Sequence, residues 1–177
     1  IALPLELLEK RPNIVQELRK RYQYILVDEF QDTNISQNKL VQHIAGPSGN
    51  IMVVGDDDQS IYKFRGAAIS NILDFSNTYK DTAQIVLTEN YRSTQQILDA
   101  SYQLIQHNNP DRLEVRNAIN KQLHGQATGP EPALVTAATG DDEYEQVAIE
   151  IAKAVKAGES AGDIAVLIRK RNQAALV

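Results

Sequence analysis

No cysteine occurs among the 177 residues, which excludes disulfide bonds, thiolate nucleophiles and cysteine-ligated zinc. The three histidines, His43, His107 and His124, are too scattered along the chain to predict a metal site. No apolar run is long enough to span a bilayer, and no secretory signal opens the sequence. These absences predict a soluble, cytoplasmic protein with no membrane segment.

An excess of basic charge is also lacking. The 18 basic and 23 acidic residues give a net charge of -5, which is not the overall charge of a typical nucleic-acid-binding protein. A local groove can still be basic on an acidic protein. The length of 177 residues suits one domain or parts of two.

The most informative stretch runs from Tyr24 to Asn34. A short apolar segment ends in two adjacent carboxylates, Asp28 and Glu29, as a buried strand does at the active edge of an α/β sheet. One carboxylate can hold Mg²⁺ while its neighbour deprotonates or orients a water that attacks a phosphate. By itself the pair is weak evidence for catalysis, because most such pairs after a strand are turn residues or helix caps.

Apolar segments and helical patterns alternate along the chain, which predicts an α/β fold with a parallel sheet flanked by helices. The predicted strands are Tyr24–Val27, Ile51–Val54, Ala83–Leu87, Ala133–Thr136 and Ile164–Ile168. Positions 108–132 lack periodicity and predict a loop.

Several residues predict where the helices begin and end. Pro12 should split the helical stretch Leu3–Arg21 in two. Thr33 or Asn34 can cap the next helix, and Ser93 with Gln96 has the spacing of a capping box. A later helix should carry acidic residues in its first turn, at 141–143.

Polar loops follow the first three predicted strands. Because the carboxyl ends of parallel strands share one edge of a sheet, these loops should bring together Asp28, Glu29, Gln59 and Arg92. Two acids, an amide and a guanidinium are a set that can hold a metal, activate water, sense a phosphate oxygen and neutralise developing charge.

These stretches resemble the motifs of the UvrD/Rep family of superfamily 1 DNA helicases. Val27–Asn34 resembles their motif II, Val53–Ala67 their motif III and Asn90–Thr94 their motif IV, and Asp163–Asn172 is similar to the strand that opens their second RecA-like domain. The resemblance implies a partial RecA-like P-loop NTPase fold. Residues 1–87 would be the later half of the first RecA-like domain, and residues 88–177 the beginning of the second.

The resemblance also implies a role for each motif residue. Asp28 would help to hold Mg²⁺, and Glu29 would be the general base towards the water that attacks the γ-phosphate of ATP. Gln59 would contact that phosphate and link it to the DNA site. Tyr91 would stack on the adenine, and Arg92 would be an arginine finger supplied in cis.

Two aromatic residues alternate with two basic ones after Gln59. The resemblance implies that Tyr62 and Phe64 contact single-stranded bases, and the flanking Lys63 and Arg65 suit stacking combined with phosphate attraction. Many family members have tryptophan where Phe64 stands, and phenylalanine can also stack. The alternative is that both rings belong to the core, which their alternation with charged residues makes less favourable.

The implied parent protein is an ATP- and Mg²⁺-dependent helicase that moves 3′ to 5′ on single-stranded DNA and unwinds duplex DNA in repair or replication, with accessory proteins as further partners. One alternative is a helicase subunit of a helicase–nuclease complex. Another is a module that binds single-stranded DNA without hydrolysing ATP.

No glycine in the sequence is followed by lysine, so the phosphate-binding pattern Gly-x-x-x-x-Gly-Lys-Ser/Thr is missing. The resemblance implies that motif I lies before Ile1 and that motifs V and VI lie after Val177. We therefore expect these 177 residues alone neither to hydrolyse ATP nor to unwind DNA.

Two charged runs have simpler interpretations. Asp56, Asp57 and Asp58 do not fit a calcium loop of the EF-hand type, since Ile61 stands where that pattern requires glycine, and they are interpreted as loop caps. The run Arg169–Arg171 is interpreted as a solvated basic turn rather than a DNA contact.

Overall fold

The computed structural model describes residues 2–47 and 49–170. The chain forms two compact units, residues 1–129 and residues 130–177. The helices are α1 (Ala2–Lys10), α2 (Pro12–Arg21), α3 (Ile35–Ala45), α4 (Ser70–Leu73), α5 (Phe75–Thr78), α6 (Gln95–Ile105), α7 (Leu113–Arg116) and α8 (Gly140–Lys156). The strands are β1 (Ile25–Val27), β2 (Ile51–Val53), β3 (Glu89–Thr94) and β4 (His124–Ala127). The mixed α/β fold with parallel strands and flanking helices is confirmed.

The first β–α–β unit forms as the sequence predicts. Strands β1 and β2 pair in parallel, with Ile25 opposite Ile51 and Val27 opposite Val53, and α3 connects them. Asn34 caps α3, because its side chain accepts a hydrogen bond from the Gln37 N–H while the Gln37 side chain accepts one from the Asn34 N–H. The carboxyl ends of β1 and β2 therefore lie side by side.

The two N-terminal helices are separated as predicted. Pro12 is the first residue of α2, where its missing N–H costs no hydrogen bond. Both α1 and α2 contact α3, and Leu8 and Val15 are buried. Phe30 fills the interior behind the β1 loop. It is fully buried and packs edge-to-face on Phe75, with 5.6 Å between the ring centroids.

The predicted strand Ala83–Leu87 is wrong. Residues 83–88 have no regular structure, and the strand begins at Glu89. Its partner is β4, in the segment predicted to be a loop, with Glu89 opposite His124 and Asn90 opposite Gly125. A strand forms where a ladder partner is available, and in the described chain that partner faces residues 89–94.

The predicted capping box of Ser93 and Gln96 at α6 is also wrong. Thr94 precedes the helix and makes no side-chain capping bond. Gln96 Oε1 accepts a hydrogen bond from the Gly129 N–H, and Gln95 Oε1 accepts one from the Gly125 N–H, both at 2.8 Å. These glutamine side chains are used to hold the segment around β4 rather than to cap α6.

Within residues 130–177, the predicted helix is confirmed as α8. Thr139 and Asp142 form its capping box, and acidic residues occupy its first turn. The predicted strands Ala133–Thr136 and Ile164–Ile168 are not formed, because no described residue pairs with either stretch in a ladder. Arg171 and Asn172 of the predicted basic segment lie outside the described residues.

No helix within residues 2–47 and 49–170 combines the length and the apolar character needed to cross a membrane.

Candidate active site

The chain turns sharply where β1 ends. Glu29 has φ 48° and ψ 45°, a left-handed conformation that is unusual for a residue with a side chain and costs roughly 1–3 kcal/mol. The Glu29 N–H donates a hydrogen bond to Asp28 Oδ1 at 2.9 Å, and a short 3₁₀ helix, Phe30–Asp32, follows. Both carboxylates are exposed at the carboxyl end of the strand.

A buried amide that the sequence analysis missed orients Glu29. The side chain of Gln31 is 1% exposed, and its Nε2 donates to Glu29 Oε2 at 2.8 Å. Its Oε1 accepts from the backbone N–H of Asp56 at 3.0 Å, which joins the β1 loop to the β2 loop. No local sequence signal distinguishes this buried glutamine from an exposed one.

Gly55 allows the two loops to approach each other. A Cβ atom at position 55 would lie 2.5 Å from Gln31 Oε1 and 3.2 Å from the backbone nitrogen of Phe30. Any larger residue would have to displace the Gln31 amide. Glycine is therefore required here for close backbone approach.

The loop after β2 presents Gln59 on the same side. Gln59 Nε2 donates to Asp56 Oδ2 at 2.8 Å, and the Asp58 N–H donates to Asp56 Oδ1 at 3.1 Å. An open cleft of about 560 Å³ lies between the two loops, a volume within the usual range for small-molecule sites. Its lining residues are Glu29, Gln31, Asp32, Asp58, Gln59, Ile61 and Tyr62.

The cleft has oxygen ligands suited to a hard divalent cation. Asp32 lines it, and Asp32 Oδ1 is buried without a hydrogen-bond partner among the described residues. The exposed carboxylate of Asp28 stands at the same strand end, next to Glu29. Carboxylate oxygens of this kind are the ligands that Mg²⁺ takes alongside water and substrate phosphates, so the residues fit that ion.

The aromatic residues after Gln59 are exposed, as their alternation with basic residues predicts. The rings of Tyr62 and Phe64 lie 6.0 Å apart, and Phe64 is 78% exposed. The Arg65 guanidinium lies 5.0 Å from the Tyr62 ring centroid and 5.4 Å from that of Phe64. Together with Lys63 they form a surface of flat rings beside positive charge, called the aromatic platform below.

Tyr91 and Arg92 are not brought to the edge formed by β1 and β2. Both lie on β3, which pairs with β4 in a separate sheet, and both side chains are exposed. The Arg92 N–H donates to Asn90 Oδ1 at 3.0 Å. The prediction that the third loop joins the first two at one sheet edge is therefore wrong for this structure, because β3 finds its partner elsewhere.

The acidic run of the β2 loop is neutralised by two distant basic residues. Lys121 Nζ contacts a carboxylate of each of Asp56 (2.7 Å), Asp57 and Asp58 (3.0 Å). Arg112, which is 4% exposed, forms two hydrogen bonds of 2.7 Å to the carboxylate of Asp58. These five residues are called the ion cluster below.

The ion cluster occupies a position that a metal could otherwise take. The three carboxylates lie within 4.8 Å of one another, but the Lys121 ammonium is bound among them. The predicted capping role is confirmed for Asp56, whose side chain caps the 3₁₀ turn Asp57–Gln59. The cationic partners could not be foreseen, because they lie in the segment predicted to be a loop.

The charges of the ion cluster stabilise one another. Burial raises the pKa of the Asp58 carboxyl, but hydrogen bonds from Arg112 and Lys121 outweigh that effect and hold the pKa below its ordinary value. Burial alone would lower the pKa of Lys121, whereas its hydrogen bonds to Asp56 and Asp57 raise it overall. Both groups are charged at neutral pH.

We expect Asp58 to stabilise the protein at neutral pH and to lose that effect in acid. A group whose folded-state pKa is depressed contributes stability above its unfolded pKa, about 3.9 for aspartate, and loses it as pH falls through the folded value. Urea unfolding of the wild type and of Asp58→Asn should show a difference in unfolding free energy that is constant from about pH 5 to 8 and narrows below about pH 4. A difference that already disappears between about pH 5 and 7 would contradict this assignment.

Comparison with known proteins agrees with this geometry. Residues 1–80 match the family described as the UvrD/REP helicase N-terminal domain, and residues 85–177 match the UvrD-like helicase C-terminal domain. DNA helicase II of Haemophilus influenzae is 43% identical over 173 residues, which cover 97% of this chain and 23% of that protein. ATP-dependent DNA helicase PcrA of Staphylococcus aureus is 39% identical over 176 residues, and PcrA of Staphylococcus epidermidis is 38% identical, each covering 98% of this chain and 23% of the relative. The chain thus spans about a quarter of the length of these curated relatives, and it belongs to the UvrD/Rep-like family of DNA helicases.

Proposed function

We propose that the protein containing this chain is an ATP-driven motor that moves 3′ to 5′ along single-stranded DNA and unwinds duplex DNA. The observation that carries the proposal is the position of Tyr62. Its side chain lines the cleft that also holds Glu29 and Gln59, while its ring belongs to the aromatic platform. The proposed site for phosphate chemistry and the proposed site for bases therefore share one residue.

In the cleft, Glu29 is the proposed general base. Its carboxylate is exposed, and the buried Gln31 amide fixes one of its oxygens, which leaves the other available to accept a proton from water. Gln59 is proposed to contact the γ-phosphate of ATP. Asp28 would hold a magnesium ion, whose chemistry is to neutralise charge on the phosphate oxygens.

Tyr91 and Arg92 are proposed to act on the same nucleotide from β3. Both side chains are exposed, so the ring can stack on a base and the guanidinium can pair with phosphate oxygens. The proposed RecA-like domains are residues 1–87 and 88–177. Bringing Tyr91 and Arg92 to the cleft of Glu29 and Gln59 is then the proposed conformational step of the ATP cycle.

The proposal includes three further statements. Residues 1–177 alone are proposed to be inactive, because they lack a Gly-Lys-Ser/Thr phosphate loop. A cytoplasmic location is proposed, since the proposed substrate is intracellular DNA. Accessory repair or replication proteins are proposed as partners that direct it to that DNA.

The test is ATP hydrolysis by the full-length protein with and without single-stranded DNA, followed by strand displacement on duplexes with a 3′ or a 5′ tail. We expect DNA to stimulate turnover and only the 3′-tailed duplex to be unwound. DNA binding without turnover would instead identify a single-stranded DNA-binding module. Unwinding from the 5′ tail would contradict the proposed polarity.

Replacing Phe64 by alanine should weaken binding of single-stranded DNA. Each stacked base contributes about 1–3 kcal/mol, so we expect the dissociation constant to rise by about 5- to 150-fold. Fluorescence anisotropy with a labelled oligothymidylate measures this change. Leu104→Ala is a matched control because Leu104 is 72% exposed on α6 and belongs to no predicted site; an equal loss in both variants would exclude a specific stacking role.

A further inference from the structure

The ion cluster crosses the division between the two family domains. Asp56, Asp57 and Asp58 lie in the part that matches the N-terminal domain, and Arg112 and Lys121 in the part that matches the C-terminal domain. All five lie within the compact unit formed by residues 1–129. The beginning of the second family domain is therefore anchored to a loop of the first.

The anchor is built from ion pairs and hydrogen bonds that are buried or partly buried. The Arg112 side chain is enclosed by Asp58, by Glu114 Oε2 at 2.8 Å and by the Tyr102 ring, whose centroid lies 5.6 Å from the guanidinium. Asp57 Oδ2 accepts a hydrogen bond from the Leu113 N–H at 2.7 Å. Lys121 is held from its backbone as well, since its N–H donates to Glu114 Oε1 at 3.1 Å.

A continuous set of hydrogen bonds leads from this anchor to the cleft. Lys121 Nζ binds Asp56 Oδ1, and Asp56 Oδ2 accepts from the side chain of Gln59. The backbone N–H of Asp56 donates to Gln31, which in turn donates to Glu29. The Gln59 amide and the Glu29 carboxylate, which face the cleft, are thus both connected to Lys121 through Asp56.

We infer that Lys121 and Arg112 are positioning residues for the cleft, which hold Gln59 and the β2 loop in place from the second family domain. Lys121 acts through Asp56, and Arg112 acts through Asp58. Through Asp56, the segment 112–121 influences Gln59, the residue proposed to sense the γ-phosphate. This inference therefore rests on the proposed function. Neither cation needs to touch ATP or DNA.

The first measurement is amide hydrogen exchange of the full-length protein without nucleotide or DNA, comparing the wild type with Lys121→Met. Charge-assisted hydrogen bonds of this kind support an expected acceleration of about tenfold or more at the amides of residues 57–60. The amides of β1 and β2 should be unchanged. Equal acceleration in the loop and the strands would show a general loss of stability and overturn the inference, as would no change in the loop.

Two variants accompany this experiment. Asp56→Asn preserves the size of the side chain and removes its charge, so it should accelerate the same loop amides even if Lys121→Met fails to fold. Lys153→Met is the matched control, because Lys153 is 66% exposed and pairs with Glu150 on its own helix. That control should leave the exchange of residues 57–60 unchanged.

The kinetic readout separates this inference from the proposed function. In Lys121→Met, kcat for DNA-stimulated ATP hydrolysis should fall about tenfold while KM for ATP changes less than about threefold, since the cation acts on positioning and not on ATP binding. A rise in KM with unchanged kcat would overturn the positioning role. If the wild type shows no DNA-stimulated hydrolysis, the proposed function fails, and the exchange experiment still decides whether Lys121 holds the loop.

Discussion

Replacing Glu29 by glutamine is expected to lower kcat for ATP hydrolysis by the full-length protein about 10²- to 10⁴-fold, the usual contribution of a general base. The substitution preserves the length of the side chain, and the glutamine oxygen can still accept the hydrogen bond from Gln31. Only the ability to take a proton from water is lost. Steady-state hydrolysis in the presence of single-stranded DNA measures the change.

The matched control for this variant is Glu89→Gln. Glu89 is an exposed glutamate whose carboxylate accepts a hydrogen bond from Gln126 at 3.0 Å, and it lies outside the cleft. Its replacement should leave kcat within about twofold of the wild type. Turnover by Glu29→Gln close to that of the wild type would exclude Glu29 as the base, and Asp32 would then be the next carboxylate of the cleft to examine.

Replacing Arg112 by alanine is expected to lower the free energy of unfolding by about 3–5 kcal/mol, the usual cost of removing one partner of a buried ion pair. Asp58 would lose both of its 2.7 Å hydrogen bonds from the guanidinium, and Glu114 would lose its contact with the same group. The packing against the Tyr102 ring would be lost as well. Urea unfolding of the purified protein, followed by circular dichroism, measures the change.

Arg116→Ala is the control for the Arg112 variant. Arg116 is also an arginine of the same short segment, but its side chain is 43% exposed and it pairs with Asp74 at 3.5 Å. An exposed pair of this kind contributes less than about 1 kcal/mol. If Arg112→Ala loses no more stability than Arg116→Ala, Lys121 alone suffices to hold Asp58.

The first β–α–β unit could be predicted because its signals are local. The apolar segments of β1 and β2 and the Asn34 cap of α3 are each recognised from a few neighbouring residues. The same is true of Pro12 and of the acidic first turn of α8. Backbone conformation over one or two turns depends mainly on such short-range preferences.

The elements that the prediction missed depend on distant partners. The third strand was placed at 83–87 from its apolar character, but it forms at 89–94, where β4 lies beside it. Gln96 was predicted to form a capping box with Ser93, but its side chain accepts a hydrogen bond from the Gly129 N–H, and the side chain of Gln95 accepts one from the Gly125 N–H. A few neighbouring residues cannot predict either contact, because the partner in each case, in or next to β4, is about 30 positions away in the sequence.

The sequence by itself determined the family, the identity of Asp28, Glu29 and Gln59 as candidate site residues, and the exposure of the aromatic platform, since motif order and local alternation are properties of neighbouring residues. Only the tertiary structure decided that Gln31 is the buried link between the two loops, and that Lys121 and Arg112 neutralise the acidic run. These contacts span 25 to 65 positions of sequence. They form because folding brings the loops and the 112–121 segment together in a partly buried space, where an unpaired charge would be too costly to retain.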